Sequence, residues 1–133
     1  MLTAVCSSLL LGLLCVACAP QPEAVAAVDA LHARQQSGRM VEGQAVVAKL
    51  LDDDTKGARH QRFIVALDSE LSLLVAHNID IAPRVEGLAV GDTVKFYGQY
   101  EFNRKGGVIH WTHRAPRGDH AEGWLEHAGV RYQ

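Results

Sequence analysis

The spacing of hydrophobic positions changes near Met40. Before it, apolar residues recur at helical spacing among alanines, and Gly38 follows the last of them. Glycine just beyond a run of helical periodicity is a common stop signal. This pattern predicts a short amphipathic helix over Pro22–Gln36. After Met40 the apolar positions alternate with polar ones, and glycines separate the segments.

The second region predicts five short strands: Val41–Leu51, Arg59–Asp68, Leu71–His77, Thr93–Phe102 and Val108–His113. Alternating residues of a strand point to opposite faces, so the apolar set of each strand marks its inward face. The proposed core comprises Phe63, Val65, Leu67, Val94 and Phe96.

The lengths of the connections indicate an architecture. Short turns join strands one to three and four to five, and a longer link broken by Pro83 and Gly87 joins three to four. This order is that of an OB-fold barrel. The predicted fold class is therefore mainly β, a small five-stranded OB-like barrel preceded by a short N-terminal α-helix. Small β-barrels of other topology remain alternatives.

Length and charge limit the classes of function. The chain has 133 residues, 48% of them hydrophobic, and a formal net charge of -2. That is enough for one domain with its own core. A near-neutral chain lacks the field that attracts polyanions, so there is no strong nucleic-acid signal.

The N-terminus predicts export. Residues 9–19 form an apolar run that has the length of a signal-peptide core and is too short to span a membrane. The run ends in Cys15-Val16-Ala17-Cys18, which resembles a bacterial lipobox and makes Cys18 the predicted lipidation site. Ordinary cleavage after Ala19 and a retained apolar anchor are the alternatives. The expected location is the periplasm or the outer membrane, with a lipid anchor if Cys18 is modified.

The predicted organisation follows from this processing site. Residues 1–18 are the signal peptide and lipobox, residues 19–40 a linker and the amphipathic helix, and residues 41–133 the barrel. Because all three cysteines lie at or before Cys18, the barrel has no disulfide, no cysteine nucleophile and no thiolate metal ligand.

Four sequence strings extend the picture. Residues 43–132 resemble a family of short exported bacterial proteins of unknown function through His60-Gln61-Arg62-Phe63, His77-Asn78-Ile79-Asp80-Ile81-Ala82-Pro83-Arg84, Gly91-Asp92, and Gly106-Gly107-Val108-Ile109-His110-Trp111-Thr112-His113. The resemblance supports the boundaries of the barrel and marks the histidine-bearing strings as family features. It implies no activity.

Histidines are the main candidates for chemistry. Five of the seven lie at the ends or edges of predicted strands, and neutral imidazole is a common ligand of zinc and copper. The candidate metal ligands are His77, His110, His113 and His120, and the candidate cofactor is a transition metal, zinc or copper. On a regular strand His110 would pair with Thr112 and face away from His113, so the two could share a site only at a bulge or strand end. The alternative is that these histidines are hydrogen-bonded residues at the sheet edge.

The wider candidate ligand site joins these histidines to polar and aromatic neighbours: His60, Arg62, His77, Asn78, Asp80, Arg84, His110, Trp111, Thr112 and His113. Four aromatic residues are a candidate stacking platform for a sugar or base: Trp111, Trp124, Tyr97 and Tyr100. We therefore predict a small binding module of the cell envelope with a histidine and aromatic surface. The alternative is a histidine-dependent, metal-assisted phosphodiesterase or other hydrolase, in which Arg62 and Arg84 bind phosphate and His60, His77 and His110 converge on one pocket. Catalytic residues are unassigned, and whether the protein is an enzyme stays open.

Overall fold

The structure is a computed structural model that describes residues 22–133, with side chains described from residue 27 onward. The predicted signal peptide, the lipobox and Cys18 lie outside the described residues. Within the described part of the chain, no helix combines the length and apolar character needed to cross a membrane.

The single helix of this part, α1, runs over Pro22–Ala33. It ends before the predicted Gln36 because Gln35 adopts a left-handed conformation with φ 54°. The amide of Gln36 then donates to the carbonyl of Leu31 at 2.9 Å, which is a standard C-terminal helix cap. Val28 is buried in the core of the domain, so the helix packs against the barrel.

Seven strands follow in the described residues: β1 (Arg39–Leu50), β2 (His60–Ala66), β3 (Ser72–Asn78), β4 (Thr93–Glu101), β5 (Val108–His110), β6 (Trp124–His127) and β7 (Val130–Tyr132). The first five correspond to the five predicted strands. The predicted end of the fifth was wrong, because β5 stops at His110 and does not reach His113.

Strands β6 and β7 were missed by the sequence analysis. They form a hairpin whose turn residues, Ala128 and Gly129, have φ of 49° and 78°. Two successive residues with positive φ are typical of the tight turn that joins antiparallel strands. The signal was the alternation that begins at Trp124, followed by a two-residue turn ending in glycine.

The first five strands close into a barrel. Their order is β1-β2-β3-β5-β4, and β1 also pairs with β4. Strand β1 serves both neighbours because its first part pairs with β4 and its last part with β2, with a register shift between Val47 and Lys49. Such a shift bends a strand, as closure requires. The β6–β7 hairpin extends the sheet beyond β4. The prediction of an OB-like barrel preceded by a helix is confirmed.

The core fills the barrel interior. All five predicted core residues are buried, together with Val75, Tyr100, Ile109 and Leu125. The other faces of β2, β3 and β5 carry half-buried side chains, including His60, Ala76 and His110. This outer surface carries the candidate site.

Candidate functional site

The chain leaves the sheet abruptly at the end of β5. Trp111, the next residue, has φ 53°, a left-handed conformation that costs a non-glycine residue about 1–3 kcal/mol. This turn ends the strand alternation, and His110 and His113 line the same groove. The irregularity that a shared site requires is therefore present. The predicted pairing of Thr112 with His110 was wrong, because Thr112 is fully buried.

Two glycines make room for this turn. A Cβ atom on Gly98 would lie 2.6 Å from the carbonyl oxygen of His110, and one on Gly123 would lie 2.0 Å from the carbonyl oxygen of Trp111. The amide of Gly123 also donates to the carbonyl of His113 at 2.9 Å. Segment 110–113 thus packs directly on neighbouring backbone, and this packing holds the left-handed turn.

His77 does not belong to the groove. It projects from the inward face of β3, is fully buried, and uses both ring nitrogens within the protein. Its Nε2 lies 2.9 Å from the carbonyl of Pro83 and its Nδ1 lies 2.8 Å from Oγ1 of Thr112. Because a carbonyl only accepts, Nε2 carries the proton and Nδ1 accepts from the hydroxyl. Burial lowers the pKa of His77 from its ordinary 6.5 to about 4, so the ring is neutral.

The groove itself lies on the outer surface of β2, β3 and β5 and is closed by the loop after β5. Its volume is about 520 Å³. It brings together seven candidates from the sequence analysis: His60, Asn78, Asp80, His110, Trp111, His113 and His120. A second cavity of about 320 Å³ shares His60, Ala76 and His110 with it and continues along the sheet toward Glu101.

Two groove histidines are anchored in the same way. Nδ1 of His113 lies 2.7 Å from the carbonyl of Arg114, and Nδ1 of His120 lies 2.8 Å from the carbonyl of Ala121. Each Nδ1 must therefore carry a proton, which leaves the lone pair of each neutral ring on Nε2. Burial lowers the pKa of His113, and nearby imidazoles lower it further: those of His120, His60 and His110.

Aromatic contacts fix the groove side chains. The ring of Trp111 stacks on His120 with centroids 4.4 Å apart and planes 13° apart, and it also contacts His110 at 5.1 Å. Its indole is thus flanked by imidazoles. The other platform candidates lie apart, because the guanidinium of Arg131 covers Trp124 at 4.0 Å and Tyr100 is buried with its hydroxyl donating to Gly106. The geometry does not assemble the four aromatic residues into one stacking surface.

The two arginines predicted to bind phosphate are engaged elsewhere. Nε of Arg62 donates to the carbonyl of Asp52 at 3.0 Å, and Arg84 forms an ion pair with Asp53. Both arginines line a third cavity, which shares no residue with the groove. Arg62 lines the second cavity beside His60 and His110, whereas Arg84 lines neither that cavity nor the groove.

Asp80 lies in the groove with its charge already paired. Its carboxylate accepts from both the backbone amide and Nε of Arg59, each at 2.8 Å. These hydrogen bonds lower the pKa of Asp80. Asn78 is nearby and accepts from the amide of Asp80 through its side-chain oxygen at 3.0 Å.

The two remaining histidines lie outside the groove. His32 packs against Phe102 with ring centroids 5.2 Å apart, and Nε2 of His127 lies 2.8 Å from a carboxylate oxygen of Asp92. Among residues 27–133, no three side chains of His, Cys, Asp or Glu are already placed to hold a metal ion.

Comparison with known proteins places this barrel in a family. A family model described as protein of unknown function, DUF3465, matches residues 10–133. The chain belongs to the DUF3465 family. The match includes α1 and all seven strands, so the groove is part of the DUF3465 domain, and the resemblance to a family of unknown function is confirmed. No curated protein and no solved structure matches the chain.

Sequence reasoning missed part of the DUF3465 groove. Arg117 lines it, from the loop between His113 and His120. The composition of the Pro116-Arg117-Gly118-Asp119 segment is typical of a turn. A turn between His113 and His120 indicates that the chain reverses there and brings the two histidines close together. The roles of Gly98 and Gly123 depend on contacts between distant segments, which a single sequence does not reveal.

Proposed function

We propose that this DUF3465 protein is a small binding module of the cell envelope and that the histidine groove is its ligand site. One observation carries the proposal: histidines from three separate segments, β2, β5 and the loop after it, line a single groove of about 520 Å³. Pockets for small ligands commonly occupy about 300–1,000 Å³. The outer surface of strands two and three is also where OB-folds commonly bind ligands.

The lining favours a small polar ligand. Imidazoles alternate with short apolar side chains, and three charged residues border the groove: Asp80, Arg117 and Asp119. Nε2 of His113 and Nε2 of His120 can each accept a hydrogen bond when the ring is neutral, whereas Arg117 offers donors. A small ligand that carries both donor and acceptor groups fits this arrangement.

Binding is favoured over histidine-dependent hydrolysis by the position of His77. The hydrolase hypothesis requires His60, His77 and His110 to converge, but His77 is enclosed in the barrel and both of its ring nitrogens are bonded. The arginines that would bind phosphate are engaged by the β1–β2 loop. The groove therefore retains histidines without His77 and without Arg84.

The location in the envelope rests on the N-terminal sequence. The apolar run of residues 9–19 and Cys18 support export and lipid attachment. The barrel is also compatible with an oxidising compartment, because all cysteines of the chain precede residue 19. On this proposal the groove faces the envelope from a membrane-tethered barrel.

Chemical-shift mapping by NMR tests the ligand site. The isotope-labelled full chain, with its three cysteines replaced by serine and kept in mild detergent, is titrated with sodium phosphate, glucose, adenosine monophosphate and zinc chloride. We expect at least one probe to shift the amides of segments 58–60, 76–80 and 110–120 in a saturable manner. These segments line the groove.

A pair of variants on one sheet surface provides the control. Ala76→Gln places a larger side chain in the groove, whereas Ala66→Gln makes the same change at the far end of β2, outside it. Binding should be lost in the first variant and retained in the second. The proposal is overturned if no probe binds, if the shifts map to the cavity around Gln44 and Lys95, or if Ala76→Gln has no effect.

A further inference from the structure

The anchoring of His113 and His120 restricts what they can bind. Both Nδ1–H groups are donated to backbone carbonyls, at 2.7 and 2.8 Å, so each ring has only Nε2 left for a ligand. A histidine that binds a metal typically donates its second ring nitrogen to a carbonyl or carboxylate, which fixes the orientation of the ring. Both residues already have this supporting bond.

The separation of the two rings fits one shared ion. In a tetrahedral zinc site the metal lies about 2.1 Å from each nitrogen, which places the centroids of two imidazole ligands roughly 5 Å apart. The centroids of His113 and His120 are 5.2 Å apart, and their planes are nearly perpendicular at 83°. Stacking on Trp111 holds the plane of His120.

We propose that the groove binds a divalent first-row transition metal, zinc or copper, through Nε2 of His113 and Nε2 of His120. This inference rests on the proposed function and names the class of its ligand. It revises the metal site expected from sequence, because His77 has no nitrogen free to coordinate and Nε2 of His110 lies 3.3 Å from a carboxylate oxygen of Glu101.

Other possible ligands line the same groove. His60 lines it from β2 and Asp119 from the loop after β5. Since no three donors are preassembled in the described residues, a third protein ligand requires a side-chain rotation, and water fills any position left over. A site with two fixed nitrogens and open positions should bind metal reversibly and more weakly than a closed structural zinc site. Copper(II) should bind more tightly than zinc, as it does to most nitrogen ligands.

Competition with a coloured chelator tests the site. Zinc chloride and copper(II) chloride are titrated into the full chain in which serine replaces the three cysteines, so that thiols contribute nothing. One equivalent of each metal should bind. His113→Gln and His120→Gln should each weaken metal binding at least about 10-fold. Loss of a residue that only hydrogen-bonds to a metal ligand already reduces metal affinity by about 10-fold or more, and loss of the ligand itself should cost no less.

Two further variants serve as matched controls. His32→Gln and His127→Gln remove histidines outside the groove and should leave the affinity unchanged. His113 is buried, so His113→Gln is informative only if the amide NMR spectrum of the variant is that of a folded protein. His120 is half-buried, and His120→Gln provides the test if His113→Gln unfolds. The inference is overturned if the parent chain shows no stoichiometric binding or if the groove and control variants bind equally.

The outcomes also separate this inference from the proposed function. If neither metal binds but phosphate, glucose or the nucleotide shifts the groove amides, the metal assignment is wrong and the groove remains a ligand site. If no probe of any kind shifts those amides, both are wrong. If metal binds and Ala76→Gln weakens it while Ala66→Gln does not, both are supported.

Discussion

Nδ1 of His77 and Oγ1 of Thr112 lie 2.8 Å apart, and their hydrogen bond joins β3 to the segment that follows β5. Thr112 donates this bond because Nε2 of His77 donates to Pro83. The bond is buried, and it attaches the left-handed turn at Trp111 to the barrel interior. A histidine inside the core thus helps to position the histidines on the surface.

Removing the hydroxyl should destabilise the domain. Thr112→Val preserves the shape of the side chain but leaves Nδ1 of His77 without a partner, and an unpaired buried polar atom costs about 1–3 kcal/mol. Urea unfolding of the variant should show that loss. Thr93→Val is the matched control, because Thr93 is exposed and its variant should stay within about 0.5 kcal/mol of the parent. Equal stabilities of the two variants would show that the bond contributes nothing.

The stability of the fold should depend on pH through His77. Its pKa is about 4 in the folded protein against 6.5 without burial, so between these values the unfolded chain binds more protons. The free energy of unfolding should therefore be highest above pH 6.5 and fall as the pH decreases toward 4, by about 3 kcal/mol from this group. The pKa of His113 is also lowered, and its contribution has the same sign.

His77→Gln is the variant that isolates this effect. Denaturant unfolding at several pH values should give a much smaller change between pH 6.5 and 4 than in the parent chain, with the remainder due to His113. An unchanged slope would mean that His77 is not the titrating group. The hydrogen bonds of Asp80 and Asp92 stabilise the fold throughout this range and are lost only below it, because they lower the carboxyl pKa values from 3.8.

Substitution of Gly123 should disrupt the turn after β5. A Cβ atom there would lie 2.0 Å from the carbonyl oxygen of Trp111 and 2.4 Å from that of Tyr97, and neither backbone atom can move alone. Gly123→Ala should lose at least about 2 kcal/mol of unfolding free energy, as overpacked cores do. It should also shift the amides of segment 110–113.

Gly118→Ala is the control for this prediction. Gly118 has φ 65°, but a Cβ atom added there would have no neighbouring atom within 4 Å, so the only penalty is the left-handed conformation, about 1–2 kcal/mol. If the two alanine variants unfold at the same urea concentration, close packing against Gly123 does not hold the turn.

The mature N-terminus should carry lipid. Mass spectrometry of the protein from native membranes should show a chain that begins at Cys18 with acyl groups attached. Cys18→Ser should abolish acylation, since Cys18 is the only proposed site of lipid attachment. A mature chain that begins at Pro20, or one that retains Met1, would contradict lipid attachment at this residue.

Local pattern was enough to predict the barrel and its core. Phe63 and Val65 occupy alternate positions of β2, and Val94 and Phe96 occupy alternate positions of β4. Burial of one sheet face makes that spacing a reliable guide to orientation. The β6–β7 hairpin was missed although its signals were local. Its strands are short, and the turn uses Ala128 where asparagine or aspartate is more usual.

The candidate site was predictable in composition but not in arrangement. The histidine-bearing strings identified most of the groove, because histidines at strand ends are informative on their own. The alternation of side chains between the two strand faces does not continue beyond His110, so the predicted orientations from Trp111 onward were wrong. Gly98 and Gly123 allow a left-handed turn there through close contacts with distant backbone. The same turn carries Thr112 inward to His77, which separates His77 from the groove.

The proposed metal site requires that Nε2 of His113 and Nε2 of His120 carry no proton and are available to a ligand. Long-range proton–nitrogen NMR correlation of the imidazole rings tests it directly, because it reports which nitrogen of each histidine carries the proton. At neutral pH we expect protons on Nδ1 of His113 and His120 and on Nε2 of His77. One equivalent of zinc should shift Nε2 of the two groove histidines without changing His77. A proton on Nε2 of either groove histidine, or a zinc-dependent shift at His77 in their place, would contradict it.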